Sequence, residues 1–450
     1  MSGQRLLGWV GPAYLFACLV LGGSAQGIWT NLVLQLVALV MLTWVFAFGR
    51  PLAERPERRL SWLVGVGAGL VALQLLPLPP ALWSALPGRD TIVDGFALIG
   101  LGLPWMPFSV APEATISAAL ALLPPLAMLF WILRGPCQGW TWLVVATLAA
   151  AGVSIMVALW QAGSSAPWYP YRHSSLGAAT GLFANSNHLA SLMLCAVPLL
   201  AAIGADLLSS RESKVAGQRA AIATALLLCA AALVGGILLN GSLAVVLLGG
   251  PMLLASALLL FPASAGRASW TIVTAGCVAL VVGGALIASG ALSLERWSGQ
   301  GSIAERIEIL RASLTLAGTY APWGSGFGTF PAVYRLFEDP QAVKAVFVNH
   351  VHNDLLELII ETGVIGSAWF AALLWWWVSR ALYHWRSPTA SAAAKAFTLV
   401  SCGLLLHSLV DFPLRTPGLA ALFATALAVM ASRATPAIGP KPRHLTLDDL

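Results

Sequence analysis

The sequence predicts an all-α polytopic membrane protein with about twelve transmembrane helices and one long outward-facing loop that contains short helices. Three observations predict this. Of the 450 residues, 58% are hydrophobic and only 9% are charged, whereas a soluble domain is closer to half apolar and a quarter charged. The mean hydropathy is +0.83, more apolar surface than a soluble fold of this size can hide. Apolar runs of about 20 residues, the length that crosses a bilayer as a helix, recur along nearly the whole chain.

The runs fall near 7–23, 28–48, 61–77, 115–133, 139–160, 183–205, 220–239, 243–262, 270–291, 358–380, 396–411 and 415–432. The first is followed almost at once by the second with no small-residue cleavage motif between them, so it reads as a span rather than a signal peptide. About 16 of the 24 Lys and Arg lie in one set of loops, among them Arg50, Arg55, Arg58, Arg59, Arg380 and Arg386. The richer side is expected to be cytoplasmic, which puts both termini in the cytoplasm and turns 78–114, 161–182 and 292–357 outward. The chain then divides into nine or so N-terminal spans (1–291), the polar loop (292–357), C-terminal spans (358–433) and a short tail (434–450). In the loop 78–114, Trp83 and Trp105 suit an interfacial belt.

Composition also narrows the function classes. A net charge of +6 follows from basic membrane-flanking loops and gives no reason to expect a nucleic-acid partner. The six cysteines are scattered in or beside apolar runs with no CxxC pair, so they read as small hydrophobes in helix packing.

Chemistry-bearing residues collect on the outward side. In ERIEILRASL (305–314), Arg306 and Arg311 are five apart, about 140° around a helix. Such a helix can rest on the membrane with its charges solvated, or aim a planar, bidentate guanidinium at phosphate. WGSGFGTF (323–330) alternates Gly324, Gly326 and Gly328. It is either a plain loop or a segment whose backbone N–H groups turn toward an anion; it is neither a Walker nor a Rossmann fingerprint. In NHVHNDLLELIIETGVIG (349–366), His350, His352, Asn353, Asp354, Glu357 and Glu361 run into a span. Asp354, Glu357 and Glu361 share one helical face. A histidine beside Asn and Asp suits a general base; HxH also admits a metal, although no tight ligand set is visible, and no metal or other cofactor is expected.

Two further clusters flank span ends. Asn185, Asn187 and His188 sit at the mouth of one span, where such groups usually line a cavity. His407 lies within another, followed by Asp411 and Arg415 in a short turn. Asp411 and Arg415 are four apart and can pair with each other. Residues at mid-span are almost all apolar, which speaks against a transporter, whose spans carry charges near the midplane.

The run GSGFGTF followed by HVHNDLLELIIETGVIG resembles the O-antigen ligase and polymerase superfamily of bacterial inner membranes. GLFANSNHLA, the RIEIL arginine helix, HSLVDFPLRTPGLAALF and QLLPLPPALWSALPG resemble the same family, in the same order. The resemblance implies a glycosyltransferase that moves a glycan from an undecaprenyl pyrophosphate carrier to an acceptor hydroxyl on the periplasmic side. The acceptor would be lipid A–core in a ligase or a growing glycan in a polymerase; the ligase is the leading expectation, with a protein-glycosylating variant and a polysaccharide transporter behind. His352 matches the family's proposed general base and Arg306 its proposed pyrophosphate-binding arginine. The other residues expected to contact substrate are Arg311, Asn185, Asn187, His188, Gly326, Gly328, Asn353, Asp354, Glu357, Glu361, Asp411 and Arg415. One departure stands out. Relatives often carry a Ser-Arg-(Ala/Gly)-Gly motif where this chain reads Asn240-Gly241-Ser242-Leu243-Ala244. Without that arginine, Arg311, Arg172 or Arg415 must substitute, or the site differs.

Overall fold

A computed structural model describes residues 6–25, 27–136, 139–209, 216–240, 242–260, 303–338 and 348–432. The expected span at 270–291, the boundary at 291, Cys137, Cys277 and the tail 434–450 lie outside the described residues.

The described chain is mostly helical, with almost no sheet. Its longer helices are α1 (Val10–Leu21), α2 (Ile28–Phe48) and α3 (Arg55–Leu73), followed after a short excursion by α6 (Pro112–Ala121), α7 (Leu123–Arg134) and α8 (Trp140–Gly163). Then come α9 (Ser186–Ser209), α10 (Ala216–Asn240), α11 (Leu243–Leu260) and α12 (Ile303–Thr319). The set closes with the one-turn α13 (Phe330–Tyr334), then α14 (Asp354–Arg386), α15 (Ala392–His407) and α16 (Pro417–Ala431). Among the described residues, six helical segments are long and apolar enough to cross a membrane: Ile28–Phe48, Pro112–Arg134, Trp140–Gly163, Ser186–Leu208, Gly217–Ile237 and Asp354–Arg386. Four shorter apolar helices accompany them, Val10–Leu21, Val245–Leu260, Ala392–His407 and Pro417–Ala431.

A helix that is apolar all round belongs in the interior, and α16 is one. Residues 417–431 are buried on almost every side, packed against α7, α1 and α15. The second packing centre is α9 with α10, α11 and α15. In contrast, α2 buries Leu34, Ala38, Met41 and Val45, while Leu32, Val33, Leu36, Leu39 and Val40 face outward, as lipid-facing side chains do.

The excursion 74–111 holds β1 (Pro77–Leu78), α4 (Pro80–Trp83), α5 (Asp90–Leu98) and β2 (Met106–Pro107). The strands pair antiparallel, Pro77 opposite Pro107 and Leu78 opposite Met106. Here the expected aromatic belt needs correcting. Trp105 is exposed, but Trp83 is buried, and its indole Nε1 donates to Pro104 O at 2.8 Å. Trp83 therefore packs the excursion onto itself.

The chain does not run smoothly through α14. Gly363 has φ 58° and ψ −150°, so the 33-residue helix is two helices joined at a break. No residue with a side chain suits that position: φ is left-handed, and a Cβ there would run into Pro322 O. Sharp breaks of this kind need their orphaned backbone groups satisfied from elsewhere. The glycine-rich segment does this. Ser325 N donates to Ile360 O and Gly326 N to Glu361 O, both at 2.9 Å, and Val364 N donates to Pro322 O at 2.8 Å.

Candidate active site

The turn 408–416, between α15 and α16, gathers the sequence-predicted residues into two adjoining clusters. The first is built on Asp411, which is fully buried. Its Oδ1 accepts from His352 Nδ1 at 3.1 Å and from its neighbour Phe412 N at 3.0 Å. Its Oδ2 accepts from Asn187 Nδ2 at 2.5 Å, with His407 Nε2 at 3.9 Å. Burial alone pushes a carboxyl pKa up, but here the hydrogen bond from His352 and the nearby His188, His352 and His407 outweigh it and hold Asp411 well below the usual carboxylate range.

His352 itself stands at φ 58°, left-handed backbone that non-glycine residues adopt rarely and mostly where surrounding structure enforces it. The enforcement is visible on both flanks. Val351 N donates to Glu357 Oε2 at 3.0 Å. Asn353 caps α14, its Oδ1 accepting from Leu356 N at 2.9 Å, while its Nδ2 donates to Leu409 O at 3.0 Å. The His352 side chain is 26% exposed and Asp411's 1%, so the imidazole can meet a substrate while its partner stays dry. Phe412 forms the apolar floor: the rings of His188, His350 and His352 lie 5.0, 4.3 and 5.0 Å from its centroid.

His188 and Asn185 hold the cluster's far wall. His188 is buried and its Nδ1 meets Thr416 Oγ1 at 2.7 Å. Asn185 Oδ1 accepts from Asn187 N at 2.8 Å and starts α9. His407 Nδ1 meets Ser191 Oγ at 2.6 Å.

The second cluster is built on Arg415. Its Nη2 lies 2.9 Å from Glu361 Oε2 and 3.5 Å from Glu357 Oε1, and its Nε lies 3.6 Å from Asp354 Oδ1. The guanidinium also stacks over Phe327, 5.2 Å from the ring centroid. Burial alone would lower the Arg415 pKa, but Glu357, Glu361 and Asp354 overcome it and raise it. The expected pairing of Asp411 with Arg415 is thus replaced. The 3-10 turn Pro413–Arg415 sends the two side chains opposite ways, one to the histidines and the other to the acids of α14.

Each acid in this second cluster has another task. Glu357 Oε1 meets His350 Nδ1 at 2.9 Å. Asp354 Oδ2 accepts from Ser408 Oγ at 2.8 Å and Leu414 N at 3.3 Å. Glu361 Oε1 accepts from Phe330 N at 3.3 Å.

The glycine segment lies against this cluster as a brace. Gly324 N donates to Tyr320 O at 2.8 Å, and Ser325 N and Gly326 N are taken by α14 as described. Phe327 N donates to Gln74 Oε1 at 2.8 Å. Gly326 needs its φ of 119° and leaves no room for a Cβ beside Ser109, while Gly328 packs on Ala118 of α6. Of the two readings the sequence left open, the backbone N–H groups of 324–327 follow the structural one.

Arg306 lies on α12, and its Nη1 donates to Val410 O at 3.4 Å, one residue from Asp411. Among the described residues no carboxylate pairs with it. Arg311 is exposed further along the same helix. No group of three or more His, Cys, Asp or Glu with a metal-holding arrangement occurs among the described residues.

Sequence reasoning missed Gln74. At the end of α3, its Nε2 donates to Glu361 O at 3.2 Å while its Oε1 holds Phe327 N, and its own carbonyl accepts from Ser109 N at 2.9 Å. A lone amide ending an apolar run was the available signal. It also missed Phe412, which nothing in its neighbourhood distinguishes from a core aromatic.

With the geometry in view, comparison with known proteins adds one finding. Residues 215–371 match a protein family described as O-Antigen ligase. That stretch takes in α10 to α12, the glycine brace, His352 and the acidic first part of α14; the turn carrying Asp411 and Arg415 lies beyond it. No curated protein matches the chain.

Proposed function

Taking the match over residues 215–371 as support for the O-antigen ligase/polymerase superfamily, whose members are glycan-transferring enzymes, we propose that this chain is an O-antigen ligase-like glycosyltransferase. It moves a glycan from an undecaprenyl pyrophosphate carrier to an acceptor hydroxyl, lipid A–core or a similar acceptor, at the periplasmic face of the bacterial inner membrane. About twelve spans, both termini in the cytoplasm and the polar stretch in the periplasm complete the reading.

The observation that carries it is the juxtaposition at the turn 409–411. His352 donates to Asp411 there, and Arg306, with no carboxylate of its own among the described residues, reaches the adjacent Val410. Because the Asp411 carboxylate can only accept, His352 carries its proton on Nδ1 and leaves Nε2 as the base. Nε2 takes the proton of the acceptor hydroxyl as its oxygen attacks the anomeric carbon, and the bond from that carbon to the pyrophosphate oxygen breaks. Positioned base catalysis of this kind contributes on the order of 10²–10⁴-fold. The pyrophosphate departs with its negative charge, which the Arg306 fork receives; losing one such donor costs about 3 kcal/mol. Asp411 acts through His352, fixing its tautomer and stabilising the imidazolium that forms. Arg415, enclosed by three carboxylates, is assigned to holding α14, Glu357 to holding the backbone beside His352 through Val351 N, Asp354 to tying α14 to Ser408 and Leu414, and Glu361 to holding Phe330 N.

The reading is tested by His352→Ala and Arg306→Lys in membranes supplied with the lipid-linked donor. Both are expected to lose transfer, Arg306→Lys because a point charge replaces a bidentate fork. Full activity of His352→Ala would remove the base assignment. A deletion strain separates the reactions. Lipopolysaccharide without O-polysaccharide, with long carrier-linked chains retained, is expected of a ligase; a single repeat unit on the core would mark a polymerase.

A further inference from the structure

A mostly apolar cavity with a few polar groups at its edge lies at the same end of the helix bundle, outside the clusters described above. It is an open cavity of about 290 Å³ between the start of α2 and the loop after α8, and its lining includes Trp29, Thr30, Tyr171, Arg172 and His173. The volume is at the lower end of what small-molecule sites occupy, enough to admit one sugar ring.

Its walls are fixed by the backbone. Tyr171 OH donates to Leu21 O at 2.7 Å and accepts from Gly23 N at 2.9 Å. Gln161, buried at the end of α8, donates through Nε2 to Trp168 O and Gly181 O and accepts through Oε1 from Thr180 N and Gly181 N. Ser175 N donates to Ala184 O at 2.8 Å. On this braced loop Arg172 and His173 are exposed, and neither has a carboxylate partner among the described residues. Trp29, 78% exposed, is part of the lining.

The pocket shares a wall with the candidate active site. Ala184 N donates to Gly23 O at 3.0 Å, and Gly418 N donates to Gly22 O at 2.9 Å. Asn187, three residues beyond Ala184, reaches Asp411, and Thr416, two residues before Gly418, holds His188.

We propose that this pocket is a saccharide subsite for an acidic sugar, one ring of a carboxylate- or phosphate-bearing glycan whose reacting end lies at His352. The proposal rests on the glycan-transfer reading. An exposed indole face covers the apolar face of a sugar ring. The Arg172 fork matches a carboxylate or phosphate, and His173 supplies a further polar edge. Binding energy from a part of the substrate remote from the chemistry is what positions the reacting end.

The test is equilibrium binding to the purified full-length chain in detergent micelles, with glucuronic acid, glucose 6-phosphate, glucose and inorganic phosphate as probes. Both acidic sugars are expected to bind at least tenfold tighter than glucose and inorganic phosphate. Arg172→Gln and Trp29→Ala should each weaken them at least tenfold, Trp29→Phe should retain most of the affinity, and His352→Ala should leave it unchanged. Binding that survives Arg172→Gln and Trp29→Ala overturns the proposal. So does displacement of the acidic sugars by phosphatidylglycerol in the micelles, which marks a lipid headgroup seat, or by inorganic phosphate at equal concentration, which marks a plain anion seat. The outcome is independent of turnover. If His352→Ala abolishes transfer while no acidic sugar binds, the subsite fails and the enzyme reading stands; if the sugars bind while His352→Ala transfers normally, the reverse holds.

Discussion

Replacing Asp411 by Asn is the sharpest perturbation of the proposed mechanism, because it removes a charge while keeping shape. Asp411 is fully buried and takes three donors, His352 Nδ1, Phe412 N and Asn187 Nδ2. An asparagine carbonyl in the Oδ1 position still accepts from His352 and Phe412, and its amide faces an Asn187 turned over to present its oxygen. The side chain therefore fits, and the loss is electrostatic. With N and O 3.1 Å apart, the charge centres of imidazolium and carboxylate are about 4 Å apart, worth about 4 kcal/mol at an effective dielectric constant near 20. Because that attraction exists only while His352 holds the transferred proton, it acts on the transition state. A loss of about 4 kcal/mol corresponds to roughly 10³-fold in rate. The measurement is initial glycan-transfer rate in membranes containing matched amounts of folded protein. kcat should fall by 10²–10³ with KM little changed, since substrate binding is untouched. A rate within tenfold of the unmodified chain would refute the assignment of Asp411 as the residue that orients and stabilises His352.

Arg415→Ala is expected to cost stability: it leaves Asp354, Glu357 and Glu361 as buried acids without their cation, a loss of about 3–5 kcal/mol that a thermal-unfolding scan in detergent reads, whereas Arg306→Ala should unfold with the unmodified chain and fail only in transfer. Gly363→Ala places a Cβ against Pro322 O at a left-handed φ and should lower the melting temperature by several degrees, with Gly65→Ala, a helical position where a Cβ meets nothing within 4 Å, as the control that should not lower it. Acid should destabilise the fold partly through Asp411. Its folded pKa is depressed, so its contribution is fully present above the unfolded value of about 3.9 and is lost as pH falls below that; thermal stability followed from pH 6 down to pH 3 should drop less steeply in Asp411→Asn.

Much of this was legible in the sequence. Apolar runs located the helices because a bilayer demands about 20 apolar residues from any span. The polar clusters converged because charge in such a chain has few places to go. Three features were not legible, for specific reasons. Gly363 sits in ETGVIG, three residues before Gly366, where a glycine reads as ordinary helix, and the brace donating to Ile360 and Glu361, with Gln74 on Glu361 O, is what satisfies the break. Asp411 and Arg415 have the spacing of a helical ion pair, yet the Pro413–Arg415 turn separates them. Trp83 reads as a membrane-interface tryptophan until Pro104 O takes its indole N–H. In each case a contact distant in sequence overrides a local pattern.

The break at Gly363 ties the shape of α14 to the docking of the glycine segment. Ile360 O, Glu361 O and Val364 N find their partners across the break in residues 322–326, and without those partners a hydrogen-bond ladder running straight through Gly363 would be the less costly arrangement. A chain whose glycine segment cannot dock would then carry Asp354, Glu357 and Glu361 on an unbroken rod.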